Sequence, residues 1–151
     1  MGFRLGTAFA AGAMLTAAMA APALGDTTAA APDAAAPTLH LELNNLAPHA
    51  DGCRVTFLVR NGLPSAIDEL SLEVAVFKAD GPIERLMRLN FGVLIKDKTR
   101  IRQFDLDGTP CPDIGRILVN DVATCDGPSL TPLDCLKAIE VGDDAKIPFG
   151  L

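Results

Sequence analysis

Apolar and polar side chains alternate along most of the chain beyond residue 37, with the two-residue period of half-buried β-strands. Leu39, Leu41 and Leu43 alternate with His40, Glu42 and Asn44, which predicts a strand over 38–45. Val55, Phe57 and Val59 alternate with Arg54, Thr56 and Arg60 and predict a second over 53–60, after which Asn61-Gly62 turns the chain through a glycine that tolerates positive φ. Leu70, Leu72, Val74 and Val76 mark a third over 69–78. The turn Ala79-Asp80-Gly81-Pro82 makes a hairpin into a fourth over 83–91, and a fifth follows over 98–106. A sixth, 116–124, carries Ile117 and Val119 on one face and Leu118 and Val122 on the other. Leu133 to Ile139 reads as one short helical turn after Pro132, and Lys146 to Phe149 as a last strand. About seven short strands at ten-residue spacing, joined by polar turns, predict an all-β chain. The expected form is an immunoglobulin-like antiparallel β-sandwich with a short C-terminal helical turn, and a small open barrel is the alternative.

The first 37 residues follow another pattern. Arg4 is followed by an uncharged stretch from 5 to 24 rich in Ala, Leu, Met and Phe, ending in the small-x-small sequence Ala23-Leu24-Gly25 before Asp26. This predicts a signal peptide over 1–25, cleaved at 25/26 or, after Ala18-Met19-Ala20, at 20/21. An uncleaved membrane anchor is the competing reading. Arg4 stands alone and no Cys follows the apolar run until Cys53, so the expected route is Sec export to the periplasm rather than twin-arginine export or lipidation. Contact with a membrane is then expected only through this segment before cleavage. Residues 26–37, DTTAAAPDAAAP, carry no large apolar side chain and read as a flexible tether. One domain, 38–151, remains.

Removal of Arg4 leaves 12 basic and 19 acidic residues, a net charge of −7. An acidic chain without Trp or Tyr offers neither a basic face for phosphates nor an aromatic platform for bases, so nucleic acid is not an expected partner. All four cysteines, Cys53, Cys111, Cys125 and Cys135, lie in the mature domain. An even count in a small exported domain predicts two disulfides. No C-x-x-C is present, and only His40 and His49 stand by as soft metal ligands. With strands running alternately up and down, the second beside the fifth, the start of one and the end of the other share an end. The expected pairs are therefore Cys53–Cys111 and Cys125–Cys135.

The most tempting motif is Phe104-Asp105-Leu106-Asp107-Gly108-Thr109. FDLDGT resembles the first motif of haloacid-dehalogenase-type phosphatases, which would make Asp105 the nucleophile and Asp107 the acid/base beside Mg²⁺. That motif must end a buried parallel strand of continuous apolar residues. Here it follows Lys98, Thr99, Arg100, Ile101, Arg102 and Gln103, a half-exposed strand, and leads into Pro110-Cys111-Pro112. Only 42 residues follow Thr109, without a strand–helix alternation. The stretch is therefore read as a polar turn. A weaker reading gathers Asp105, Asp107 and Asp113 around Ca²⁺, although Arg116 occupies the twelfth position where an EF-hand needs Glu. Asp143-Asp144 reads as a solvated turn. No glycine-rich phosphate loop, nucleophile–base pair or copper-binding Met/His group is present; Met87 is the one methionine beyond the signal. No cofactor and no enzyme activity are expected.

Charge placement adds one more feature. Six of the twelve basic residues fall between 85 and 102: Arg85, Arg88, Lys96, Lys98, Arg100 and Arg102. From Asp105 to Asp144 nine acidic residues face only Arg116 and Lys137. Strand periodicity puts Lys98, Arg100 and Arg102 on one face. Arg85, Arg88, Lys98, Arg100 and Arg102 are read either as a polar outer face or as a basic patch that meets an acidic partner or an anionic envelope component.

Three stretches carry a resemblance: Gly52-Cys53-Arg54-Val55-Thr56-Phe57-Leu58-Val59-Arg60-Asn61-Gly62, Gln103-Phe104-Asp105-Leu106 before Cys111, and Arg116-Ile117-Leu118-Val119-Asn120 before Cys125. Over most of 38–139 the chain resembles a group of exported alphaproteobacterial proteins often labelled as Tat-pathway signal sequence domain proteins. The layout is also similar to small periplasmic immunoglobulin-like domains that act through protein contacts. The resemblance implies no activity and makes Phe104-Asp105-Leu106 structural. The expected function is a non-enzymatic periplasmic accessory or protein-interaction module of the bacterial envelope, its partner an envelope or periplasmic protein. The alternative is a Ca²⁺- or small-ligand-binding periplasmic protein using the Asp105/Asp107/Asp113 loop.

Overall fold

The computed structural model describes Gly2, residues 36–142 and residues 146–151. The expected signal peptide, most of the tether and Asp143-Asp144 lie outside the described residues. From residue 39 the chain forms β1 (Leu39–His49), β2 (Gly52–Asn61), β3 (Ile67–Lys78), β4 (Ile83–Leu94) and β5 (Thr99–Leu106). A 3₁₀ turn, Cys111–Asp113, leads into β6 (Ile114–Asp126). Helix α1 (Pro132–Ala138), β7 (Ile139–Gly142) and β8 (Phe149–Gly150) complete the order. Two four-stranded sheets pack as a sandwich, one ordered β5-β2-β1-β7 and the other β4-β3-β6-β8.

The sheets are mixed, which corrects the expectation of a wholly antiparallel sandwich. β2 runs antiparallel to both of its neighbours β1 and β5, and β3 to both β4 and β6. β7, however, joins β1 in parallel, and β8 joins β6 in parallel. A parallel neighbour needs a crossover instead of a hairpin. The segment containing α1 carries the chain from the end of β6 to the start of β7, where Leu39 pairs with Ile139. Thr131 starts the helix with a capping box: its hydroxyl accepts from the Asp134 amide while Asp134 accepts from the Thr131 amide. β7 escapes a reading by periodicity because it is four residues long and follows the helix without a break.

The core forms where the two inner faces meet. Leu39, Leu41 and Leu43 from β1 and Val55, Phe57 and Val59 from β2 face Leu70, Leu72, Val74 and Val76 from β3 and Ile117, Val119 and Val122 from β6. Each such side chain contributes about 1.5–3 kcal/mol by leaving water. Four phenylalanines tie the sheets together: Phe57 contacts Phe91 of β4, Phe104 of β5 and Phe149 of β8 at centroid distances of 5.6–6.0 Å. The Phe91 and Phe104 rings meet edge to face at 5.1 Å.

β6 departs from strict alternation. Its buried side chains are Ile114, Ile117, Val119, Val122 and Cys125, so Val122 joins Ile117 and Val119 inside while Leu118 is half-buried. The pairing with β3 shifts register between Phe77 and Lys78, Glu73 and Val74, and Ser71 and Leu72, which are the three places where the buried spacing stretches to three residues. Each extra residue is a bulge that returns the next apolar side chain to the core.

Gly52 and Gly62 are among the glycines dictated by close approach. A Cβ on Gly52 would overlap the Leu106 carbonyl, where β2 lies against β5. A Cβ on Gly62 would stand 2.7 Å from the Thr38 carbonyl oxygen. Gly62 is not among the positive-φ residues, so its role is this approach and not the turn geometry expected for it. Asn61 beside it is the last residue of β2 and fully buried: its Nδ2 donates to the Ser65 and Leu94 carbonyls, each at 2.9 Å, and its Oδ1 accepts from the Leu63 amide.

The structure contains the disulfides Cys53–Cys111 and Cys125–Cys135, with Cα separations of 4.9 and 6.4 Å. Such bonds point to an oxidising, extracytoplasmic location. Among the described residues no helix is long and apolar enough to cross a membrane.

Candidate functional site

β4 and β5 are the outermost strands of their sheets, and the chain passes directly from one to the other through Ile95–Lys98. This connection is tight: the Lys98 amide donates to the Ile95 carbonyl, and Asp97 adopts a φ of 60°. The Asp97 amide also donates to the Asn61 carbonyl at 2.7 Å, which anchors the turn to β2. Both sequence features with chemical content, the basic cluster and the FDLDGT motif, lie along this side of the sandwich.

The basic cluster divides. Phe104 and Leu106 of β5 face the interior, and by the strand period Arg100 and Arg102 share their side. Both reach across to β4. Arg100 Nη1 donates to the Val93 carbonyl at 2.7 Å, and Arg102 Nε to the Phe91 carbonyl at 2.6 Å. In the opposite direction, Arg85 of β4 donates from Nη2 to the Asp107 carbonyl at 3.0 Å and to the Thr109 hydroxyl at 2.6 Å. Three of the five candidate patch residues therefore lace β4 to β5. Arg88 is exposed and sits across from Glu73 of β3, and Lys98 is exposed at the start of β5. The five do not form one outward face.

The FDLDGT stretch is the end of an antiparallel edge strand and the turn that follows. The Thr109 amide donates to the Leu106 carbonyl, and Gly108 takes a φ of 72°, as the third residue of a type II turn requires. Asp105 accepts two bonds from Arg54 of β2, at 2.6 and 2.9 Å, and Arg54 Nη2 also lies 2.8 Å from His49 Nε2. The hydrogen bonds and charge of Arg54 hold the Asp105 carboxyl below the usual carboxylate range, and Asp105 in turn raises the Arg54 guanidinium. Asp113 lies elsewhere, lining an open cleft of about 410 Å³ with Lys78, Asp80, Glu84 and Thr109. Lys78 and Glu84 pair there at 2.9 Å, and that hydrogen bond raises the lysine ammonium above its ordinary value. Asp105 and Asp113 are not brought together, and among the described residues no group of three His, Cys, Asp or Glu is arranged to hold a metal ion.

Periodicity gives no warning of three exposed aliphatic side chains beside the β4–β5 connection. Val93 and Ile95 are each 47% exposed, and Ile101 is 64% exposed. Ile101 pairs with Leu58 on the outer face of the first sheet, opposite to the direction of Arg102 and Phe104. Lys96 and Lys98, both exposed, lie between Val93 and Ile101 along the chain. His40 and Arg60, cross-strand partners, line a second open cleft of about 490 Å³ with Thr38, Gly62 and Asp97 at the same end of the sandwich.

No protein family, no curated protein and no solved structure matches this chain.

Proposed function

We propose that the chain is a non-enzymatic accessory or protein-interaction module of the bacterial envelope, exported to the periplasm and built on an immunoglobulin-like layout. It meets an acidic partner protein through the β4–β5 connection. The observation that carries this reading is the exposure of Val93, Ile95 and Ile101 within nine residues that also hold Lys96 and Lys98. Exposed aliphatic side chains rimmed by charge are the usual composition of a contact surface. The immunoglobulin-like layout is supported by the order of β1 to β6, with β2 flanked by β1 and β5 in one sheet and β3 flanked by β4 and β6 in the other. The parallel additions of β7 and β8 are departures from it.

The Ca²⁺-binding alternative has less support, because Asp105 is already committed to Arg54. A phosphatase reading has less still: the two carboxylates of its motif stand on an antiparallel edge strand and its turn, with no parallel strand beside them. The test is photocrosslinking in intact cells from position 95, with position 133 on α1 as the control site. The expected result is one discrete adduct from 95, lost when Lys96→Glu and Lys98→Glu are combined. Equal adducts from both positions, or an adduct indifferent to the charge reversal, would refute the assignment of this surface.

A further inference from the structure

We infer that Arg100 and Arg102 guard the edge of β4, and that by holding its carbonyls they prevent this strand from pairing with β4 of a second copy of the chain. The inference goes beyond the partner surface proposed above, which concerns the connection and not the strand edge. β4 is twelve residues long and ends its sheet, so one edge of its backbone has no neighbouring strand. It also exposes Ile83, Leu86 and Val93. A long edge with exposed aliphatic side chains is a template for strand addition, and native proteins block such edges with charge, bulges or cover.

Charge and a bulge coincide here. The Arg102 and Arg100 guanidiniums occupy the Phe91 and Val93 carbonyls at 2.6 and 2.7 Å. Hydrogen bonds from a charged donor to a carbonyl are stronger than neutral ones. An incoming strand would have to break both bonds and bury two cations that had lost their acceptors. Between these carbonyls, Gly92 takes a φ of 66°, its amide donates to Asn90 Oδ1 at 2.7 Å, and the pairing of β4 with β3 loses register. A Cβ at Gly92 would come to 3.0 Å from Arg102 Nη2, so the kink also makes room for the guanidinium. At the other end of β4, Arg85 ties the strand to the Asp107 carbonyl and the Thr109 hydroxyl.

If the arginines served only to hold the two sheets together, their loss would lower stability without changing association. The experiment therefore compares the oxidised mature chain with Arg100→Met/Arg102→Met, which keeps side-chain length and removes donors and charge. Lys96→Met/Lys98→Met is the charge-matched control. Sedimentation velocity over a concentration series reads association, and amide hydrogen exchange reads which strand is covered. The expected result is an association constant raised about tenfold or more for the arginine variant, with new protection confined to β4 amides, while wild type and the lysine variant stay monomeric. An arginine variant that folds and remains monomeric overturns the inference, as does a wild type that already protects β4 with rising concentration. Should the double variant not fold, Arg100→Met alone is read by the same criteria.

Discussion

Asn61 is the side chain on which the most local structure converges. Two carbonyls and one amide, from Ser65, Leu94 and Leu63, find their partner in one carboxamide that is fully buried. Asn61→Ala leaves these groups without water or partner, so a loss of about 2–4 kcal/mol is expected in urea unfolding. Asn61→Asp should cost more, because two carbonyls would then face a carboxylate. Asn-Gly is a turn signal in sequence, and the tie to Leu94 depends on a strand 33 residues away. The Arg54–Asp105 pair behaves differently, being exposed. Asp105 has a lower pKa folded than unfolded, so its stabilisation is present above the ordinary carboxylate pKa and is lost as pH falls through the folded value. The stability difference between wild type and Asp105→Asn should be small at neutral pH and should close below about pH 4. A difference that widens on acidification would contradict the pairing.

Among the elements, the second strand is held most firmly. β2 lies between β1 and β5, packs Phe57 against three other phenylalanines, and begins at a disulfide that reaches the turn after β5. The Cys53–Cys111 bond spans a sequence separation of 58 and the Cys125–Cys135 bond one of 10. Loop-closure entropy then assigns about 4 kcal/mol to the first and about 3 kcal/mol to the second. Cys53→Ser/Cys111→Ser is expected to lower the melting temperature more than Cys125→Ser/Cys135→Ser, as calorimetry would read. The reverse order would mean that the crossover through α1 depends on its bond more than the sandwich does on its own. The strands themselves were legible because one face of each is buried and alternation follows directly. β6 was legible in extent but not in facing, because three bulges reset its period and a bulge is visible only against its partner strand.

At the scale of the molecule, two disulfides in a sandwich with no free cysteine describe a protein matured in an oxidising compartment. Material recovered from its native compartment should take up no alkylating reagent before reduction and four equivalents after it, by intact mass. Alkylation before reduction would place folding elsewhere. The sequence by itself determined the class of fold, because a period of two is a local property of the chain and only a layered β-structure buries it. Cysteine pairing was also within its reach, since alternating strand direction decides which ends meet. Only the tertiary structure decided how the sides of the sandwich are closed. β7 is too short to announce itself and enters in parallel because the chain arrives by a crossover, and of the last strand expected over Lys146 to Phe149 only Phe149 falls in β8, which also pairs in parallel. The arginines on β5 read as an outward basic face, and the fold turns two of them toward carbonyls of β4, a strand in the other sheet. Which neighbour a long polar side chain finds depends on distances across the sandwich, and those exist only once both sheets are packed.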